Sequence, residues 1–218
     1  MDKYNLKSIM AKFKGKYKGG SRRMPHWDYS GDGLYFLTIV TQGRKCILGD
    51  IQDKKMILSD FGKIVATEWN KSFEIRDELI LHEYVIMPNH IHCIVEIDTK
   101  NDSGGDIVES YGRTILQYPD STNNPDLSDN LKTIKCNMPV RLPKSISSFI
   151  AGFKSSVNSK IDDYIDNHQL DIPKYNKNNH FFQPNYHDHI IRNDGEYQRI
   201  KRYIINNPEN WNRDKLND

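Results

Sequence analysis

Apolar residues along this chain fall into short, dense runs separated by long polar stretches. The run LYFLTIVT at 34–41 is β-branched and aromatic and reads as a buried strand. KMIL at 55–58 is a shorter extended segment. Ser59 and Asp60 can then cap a helix over 61–73, in which Ile64, Val65, Glu68 and Trp69 recur at helical spacing. LILHEYVIM at 79–87 and HIHCIVEI at 90–97 are strand-like, and the Pro88-Asn89 turn between them predicts antiparallel pairing. Helical periodicity returns over 145–165 through Ile146, Phe149, Ile150, Phe153, Val157 and Ile161. Phe181, Phe182 and 186–191 suggest extended structure. Asn193 or Asp194 then caps a last helix with Tyr197, Ile200 and Ile204 on its apolar stripe. Asn207-Pro208 ends it, because proline disfavours helical geometry in the residue before it. Early strands with interleaved helices predict an α+β sandwich around one antiparallel sheet.

Between these elements, 98–144 is rich in Asn, Asp, Ser, Gly and Pro, with scattered apolar residues, and reads as a polar insertion. The expected organisation is a basic arm at 1–30 and a single domain at 31–213 carrying that insertion. Hydrophobic residues make up 37% of the chain and mean hydropathy is -0.74, so the core is modest. Net charge is only +2 and says nothing about a nucleic-acid partner. Its distribution says more: Lys3, Lys7, Lys12, Lys14, Lys16, Lys18, Arg22 and Arg23 face a single acid, Asp2. Such an arm can neutralise phosphates, although a solvated terminus has the same composition. Cys46, Cys93 and Cys136 show no CxxC spacing, which argues against a disulfide framework or zinc ribbon and fits a reducing cytoplasm. The N-terminus lacks the apolar stretch of a signal peptide, and no run approaches the ~18 apolar residues of a membrane span. The expectation is a cytoplasmic protein with no membrane partner.

The candidate chemistry lies in three places. His90 and His92 sit two apart on a strand, so their rings share one face and Ile91 and Cys93 share the other. Two imidazoles so placed can chelate a divalent metal, though two solvent-facing strand histidines have the same spacing. Tyr203 and Asn207 are four apart on the last helix and therefore neighbours. A core-edge tyrosine and a helix-ending asparagine would read identically. His187 and His189 form a second same-face pair, with Asp188 pointing away and Arg192 beyond as a phosphate contact or a solvated arginine.

Taken together, these residues resemble a known family. YVIMPNHIH at 84–92 resembles the HUH signature of single-tyrosine transposases of small insertion sequences and of REP-associated tyrosine transposases. LYFLTIVT followed by Arg44 resembles that family's first strand. FQPNYHDHIIR at 182–192 resembles the block before its catalytic helix, and YIINNP at 203–208 with Trp211 resembles its ending. The likeness spans about 22–97 and 145–213 and leaves out the 98–144 stretch and most of the arm. It implies a ferredoxin-like palm, with one antiparallel sheet and helices on one face. His90 and His92 match the metal-binding pair, Tyr203 the nucleophile, and Asn207 the polar residue completing the metal site. The implied activity is cleavage and rejoining of single-stranded DNA, at hairpin repeats, through a 5′-phosphotyrosine. The implied cofactor is Mg²⁺ or Mn²⁺, and a homodimer is one arrangement found among such enzymes.

Those residue types suit the reaction. A phenol of pKa roughly 10 is about one part in a thousand ionised at pH 7, so it needs activation. A cation held by His90, His92 and Asn207, all neutral, would keep its full charge for the phosphate and the leaving 3′-oxygen. A phosphotyrosine ester retains the bond energy for resealing. Arg22, Arg23, Arg44, Lys154 and Arg192 are the expected phosphate contacts, with Trp27 and Tyr29 as base-stacking candidates. Two other readings remain at this stage: a nucleic-acid-binding module without turnover, and a metal-dependent phosphodiesterase with no covalent step.

Overall fold

A computed structural model describes residues 12–13, 16–17, 29–99 and 143–217, the first four as backbone only. Arg22, Arg23 and Trp27 of the arm, and most of the 98–144 insertion, lie outside the described residues. In the arm, β1 (Lys12–Phe13) pairs antiparallel with β2 (Lys16–Tyr17).

The 34–41 run forms β3 (Gly33–Val40), an eight-residue inner strand. After it, β4 (Gly49–Gln52) and β5 (Lys55–Leu58) make a separate hairpin. Helix α1 (Asp60–Glu74) begins where the Ser59 side chain accepts a hydrogen bond from the Gly62 amide. β6 (Leu79–Met87) and β7 (His90–Ile97) follow, joined by the expected tight turn. Helix α2 (Ile146–Asn167) opens with a capping box between Ser145 and Ser148. β8 (His187–Ile191) leads to α3 (Asp194–Ile205), capped by Asn193. The sheet order is β6-β7-β3-β8, and every neighbouring pair is antiparallel. That order, on a β3-α1-β6-β7-α2-β8 chain, is the ferredoxin-like sandwich.

Strand alternation divides the sheet into two faces. Tyr35, Leu37 and Ile39 of β3 and Ile91, Cys93, Val95 and Ile97 of β7 join the main core under α1 and α2. Trp69 sits at its centre, with the rings of Phe73, Tyr84, Phe149 and Phe153 within 6.0 Å. The other face carries His90, His92 and Ile94, and there Ile94 and Ile191 pack against Ile200 and Ile204 of α3. The two long helices thus share one face as expected, while α3 covers part of the opposite one. An amphipathic stripe shows that a helix has a buried side, not which face of a sheet it covers. No helix among the described residues is long and apolar enough to cross a membrane.

Candidate active site

Register places the two histidines. Val40 pairs with His90 and Thr38 with His92 across the β3–β7 ladder. Both rings are buried, and their centroids lie 4.4 Å apart. Thr38 Oγ1 lies 2.9 Å from His92 Nδ1, and Asn89 Oδ1 lies 2.8 Å from His90 Nδ1. The Asn89 amide nitrogen donates to the carbonyls of Arg44 and Leu216, at 3.0 and 2.6 Å. Its oxygen is therefore the acceptor, and His90 Nδ1–H donates to it. That leaves a lone pair on His90 Nε2, a buried atom with no hydrogen-bond partner.

Helix α3 brings the phenol. Tyr203 lies against Phe36 edge-on and against His92, at centroid separations of 6.2 and 5.2 Å. Its hydroxyl is 3.0 Å from His92 Nε2. The side chain stays 46% exposed, so one edge meets solvent. One turn on, Asn207 is buried, and its Oδ1 has no hydrogen-bond partner. Its Nδ2 donates to Asp214 Oδ2 at 2.9 Å. Asp214 arrives on the segment after the 3₁₀ turn Pro208–Arg213, where the amide of Leu216 donates to its other oxygen at 2.7 Å. Asp214 Oδ2 is 3.5 Å from the Tyr203 hydroxyl and 4.0 Å from His90 Nε2. His90, His92 and Asp214 each offer a ligand atom, and these atoms lie within 4.8 Å of one another.

Burial dominates the electrostatics. It lowers the His90 pKa to about 4, with the Asp214 carboxylate opposing, and it lowers His92 well below the ordinary histidine range, helped by His90. Both rings are neutral at pH 7, the form that binds metal. Burial, then the Asp214 charge, pushes Tyr203 up to about 12, against a smaller downward effect of Asn207. At pH 7 only about one such phenol in 10⁵ is ionised.

An acid-sensitivity follows. The unfolded chain protonates histidine near pH 6.5 and the native one does not, so below about 6.5 the unfolded state binds more protons. Metal-free stability should fall as pH drops from about 6.5 towards 4, by about 3 kcal/mol from His90 alone. Urea denaturation at pH 7 and pH 5 measures it, and equal midpoints would contradict the buried neutral pair.

No protein-family model matches the chain. A protein of Haemophilus influenzae, described only as uncharacterized, is 30% identical over 219 residues, covering 92% of this chain and 97% of its own. The chain belongs to the same family as that protein. Solved structures it resembles include a REP-associated tyrosine transposase bound to a REP hairpin, at 16% identity and TM-score 0.47 over 88% of this chain and 74% of that one. Another is a candidate transposase from Deinococcus radiodurans R1, at 13% identity and TM-score 0.34 over 85% and 96%. Likeness this distant leaves function to be argued from the side chains.

Of the residues singled out from sequence, His90, His92, Tyr203 and Asn207 come together. The all-neutral donor set leaves out Asp214, whose carboxylate lies inside the cluster. Nothing in the sequence marks Asp214, one acid among several in a polar tail beyond the resemblance; Thr38 and Asn89 were equally unmarked as orienting partners. The expected phosphate contacts scatter. Arg44 donates to the Lys215 carbonyl at 3.3 Å, beside the site-bearing tail. Lys154 stands on α2, the far side of the sheet, and its ammonium donates to the carbonyls of Gln183, Pro184 and Asn185 at 2.7, 3.4 and 3.2 Å. That arrangement anchors the loop before β8. The Arg192 amide donates to Glu196, as β8 passes into α3. His189 pairs with Glu196 at 2.7 Å.

Proposed function

We propose that this chain is a single-tyrosine HUH transposase that cuts and rejoins single-stranded DNA at hairpin repeats, with Tyr203 as nucleophile. The observation that carries the reading is the 3.0 Å contact between a half-exposed phenol and a buried imidazole of a neighbouring histidine pair. Binding alone requires neither the buried pair nor the phenol beside it.

The donor set fits a divalent cation. His90 Nε2 turns a lone pair into a buried space facing a carboxylate 4.0 Å away, an arrangement that is repulsive without a positive charge between. Asn207 Oδ1 is a second buried acceptor without a donor. His90, His92 and Asn207 would hold the metal, with Asp214 as an additional anionic donor. Imidazole with oxygen donors suits Mn²⁺, and Mg²⁺ is acceptable with fewer imidazole contacts. When bound, the ion supplies Lewis-acid stabilisation of the scissile phosphate.

The protein's own groups do the rest. Thr38 holds the His92 ring with Nε2 turned towards the reacting phenol, and Asn89 holds the His90 ring with Nε2 turned towards the Asp214 carboxylate. Tyr203 Oη attacks phosphorus, its proton passing towards the Asp214 carboxylate. The Oη–P bond forms as the P–O3′ bond breaks, and the departing oxygen takes up a proton to leave a 3′-hydroxyl. Attack by a 3′-hydroxyl on the phosphotyrosine reverses these steps and reseals the strand. The phenol meets the histidines of its own chain, which supports action within one subunit.

Trapping tests this. Incubating the full chain with Mn²⁺ and an end-labelled single-stranded hairpin should yield a protein–DNA adduct, and peptide mapping should locate it at Tyr203. An adduct on a different tyrosine, or multiple turnovers with no adduct, would overturn the assignment. The second outcome would favour a phosphodiesterase without a covalent step.

A further inference from the structure

The exposed edge of Tyr203 opens onto a groove of about 500 Å³ lined by Arg199, Arg202, Asn206, Asn207 and Asn210. Arg199, Arg202, Tyr203 and Asn206 follow one another at helical spacing along α3 and its end, beside the Ile200 and Ile204 stripe, and Asn207 and Asn210 continue the groove into the turn after it. Resting on the reading above, we propose that Arg199 and Arg202 are the positioning residues that hold the single-stranded DNA backbone next to the scissile phosphate. Asn206 and Asn210 present amide groups along the same groove.

Several observations select this occupant. The groove is lined in part by Tyr203 itself, so whatever fills it touches the residue that bears the nucleophile. Its charged walls are both guanidinium groups, whose planar forks suit phosphate oxygens. Both arginines are exposed. Arg202 uses Nε on the Gln198 carbonyl at 3.2 Å, which fixes the stem. Arg199 lies 3.6 Å from Glu196, whose carboxylate is already shared with His189 and the Arg192 amide. Arg199 and Tyr203 are one helical turn apart, about 6 Å along the axis at 1.5 Å per residue, a spacing comparable with one nucleotide step of a stretched strand. Arg202 adjoins Tyr203 directly. Two cations beside one phenol thus offer grips on phosphates flanking the one attacked.

The test is fluorescence anisotropy of a labelled single-stranded oligonucleotide, in EDTA so that nothing is cut, across a salt series. It compares the full chain with Arg199→Gln, Arg202→Gln, the double variant, and Lys160→Gln. Lys160 is an exposed cation on α2, on the far face of the sheet. Each arginine variant should bind roughly fivefold more weakly, with the log–log salt slope shallower by about 0.7 to 1. Lys160→Gln should leave both unchanged. Cleavage at saturating DNA should also slow in the arginine variants, an effect that lost affinity alone does not produce. If the parent chain binds the oligonucleotide and the arginine variants match it in affinity and slope, or if Lys160→Gln loses as much as they do, the groove is not the strand path. If the parent chain binds no single-stranded DNA at all, the functional reading itself fails.

Discussion

Replacing Tyr203 with phenylalanine is expected to abolish strand cleavage while leaving single-stranded DNA binding within about twofold of the parent. The loss should be about 10⁴-fold or more, the scale seen when a covalent nucleophile is removed. The phenylalanine ring retains the edge-on contact with Phe36 and the packing on His92. Only the hydroxyl goes, together with its hydrogen bonds to His92 and Asp214. One such bond is worth about 1 kcal/mol, little enough for the fold to survive. Among the described residues the Thr38 hydroxyl also meets the histidine pair, but it is buried and bonded to His92 Nδ1, so it cannot substitute. A gel assay on labelled hairpin DNA, paired with binding by anisotropy, separates the alternatives. A phosphodiesterase that activates water would keep cutting without the phenol. A binding module would cut in neither form. Residual cleavage near the parent's rate in Tyr203→Phe would remove the covalent mechanism outright.

Most of the scaffold could be read from local pattern. Strands β3, β6 and β7 are dense apolar runs with a turn signal between the last two, and their observed limits match the runs within a residue or so. Ser59, Ser145 and Asn193 cap helices through their own side chains, a signal that is local by nature. Strand β4, Gly-Asp-Ile-Gln, contains one apolar residue and no alternation, so only its pairing with β5 reveals it. The Pro208–Arg213 turn lies just past a helix-ending signal, and that signal carries no information on where the chain goes next. Asp214 is the sharper case. Its role depends on that turn carrying it back over the sheet to within 4.0 Å of His90, a tertiary fact with no periodicity behind it. The same holds for the placement of α3. Its stripe of Ile200 and Ile204 is plain in the sequence, but the partner Ile94 shares a face with the histidines only because strand alternation puts it there. The catalytic expectation therefore rested on motif likeness, and the contacts that give it physical content are long-range.

His90→Ala should remove metal binding and most activity together. The parent protein is expected to gain thermal stability on adding Mn²⁺, about 2.7 kcal/mol when the free ion stands at 100 times its Kd. For a chain of this length that is a rise of roughly 5–10 °C in Tm. Without the His90 ring the cluster loses the one imidazole nitrogen whose lone pair has no partner inside the protein, and the Mn²⁺-induced shift should vanish. Cleavage should fall more than about 100-fold, since removing even the outer partners of metal ligands costs 10- to 100-fold. A further consequence separates this from simple damage. The ring's burial holds its pKa down to about 4, so the parent loses stability in acid, and deleting the ring deletes that loss. The variant should therefore be less stable than the metal-free parent at pH 7, where the emptied volume beside Trp211 dominates, and close much of that gap at pH 5. A general misfolding defect would widen with acidity instead. Differential scanning fluorimetry at both pH values, with and without Mn²⁺, reads all of these effects, and an undiminished Mn²⁺ shift in His90→Ala would place the cation somewhere other than between these rings.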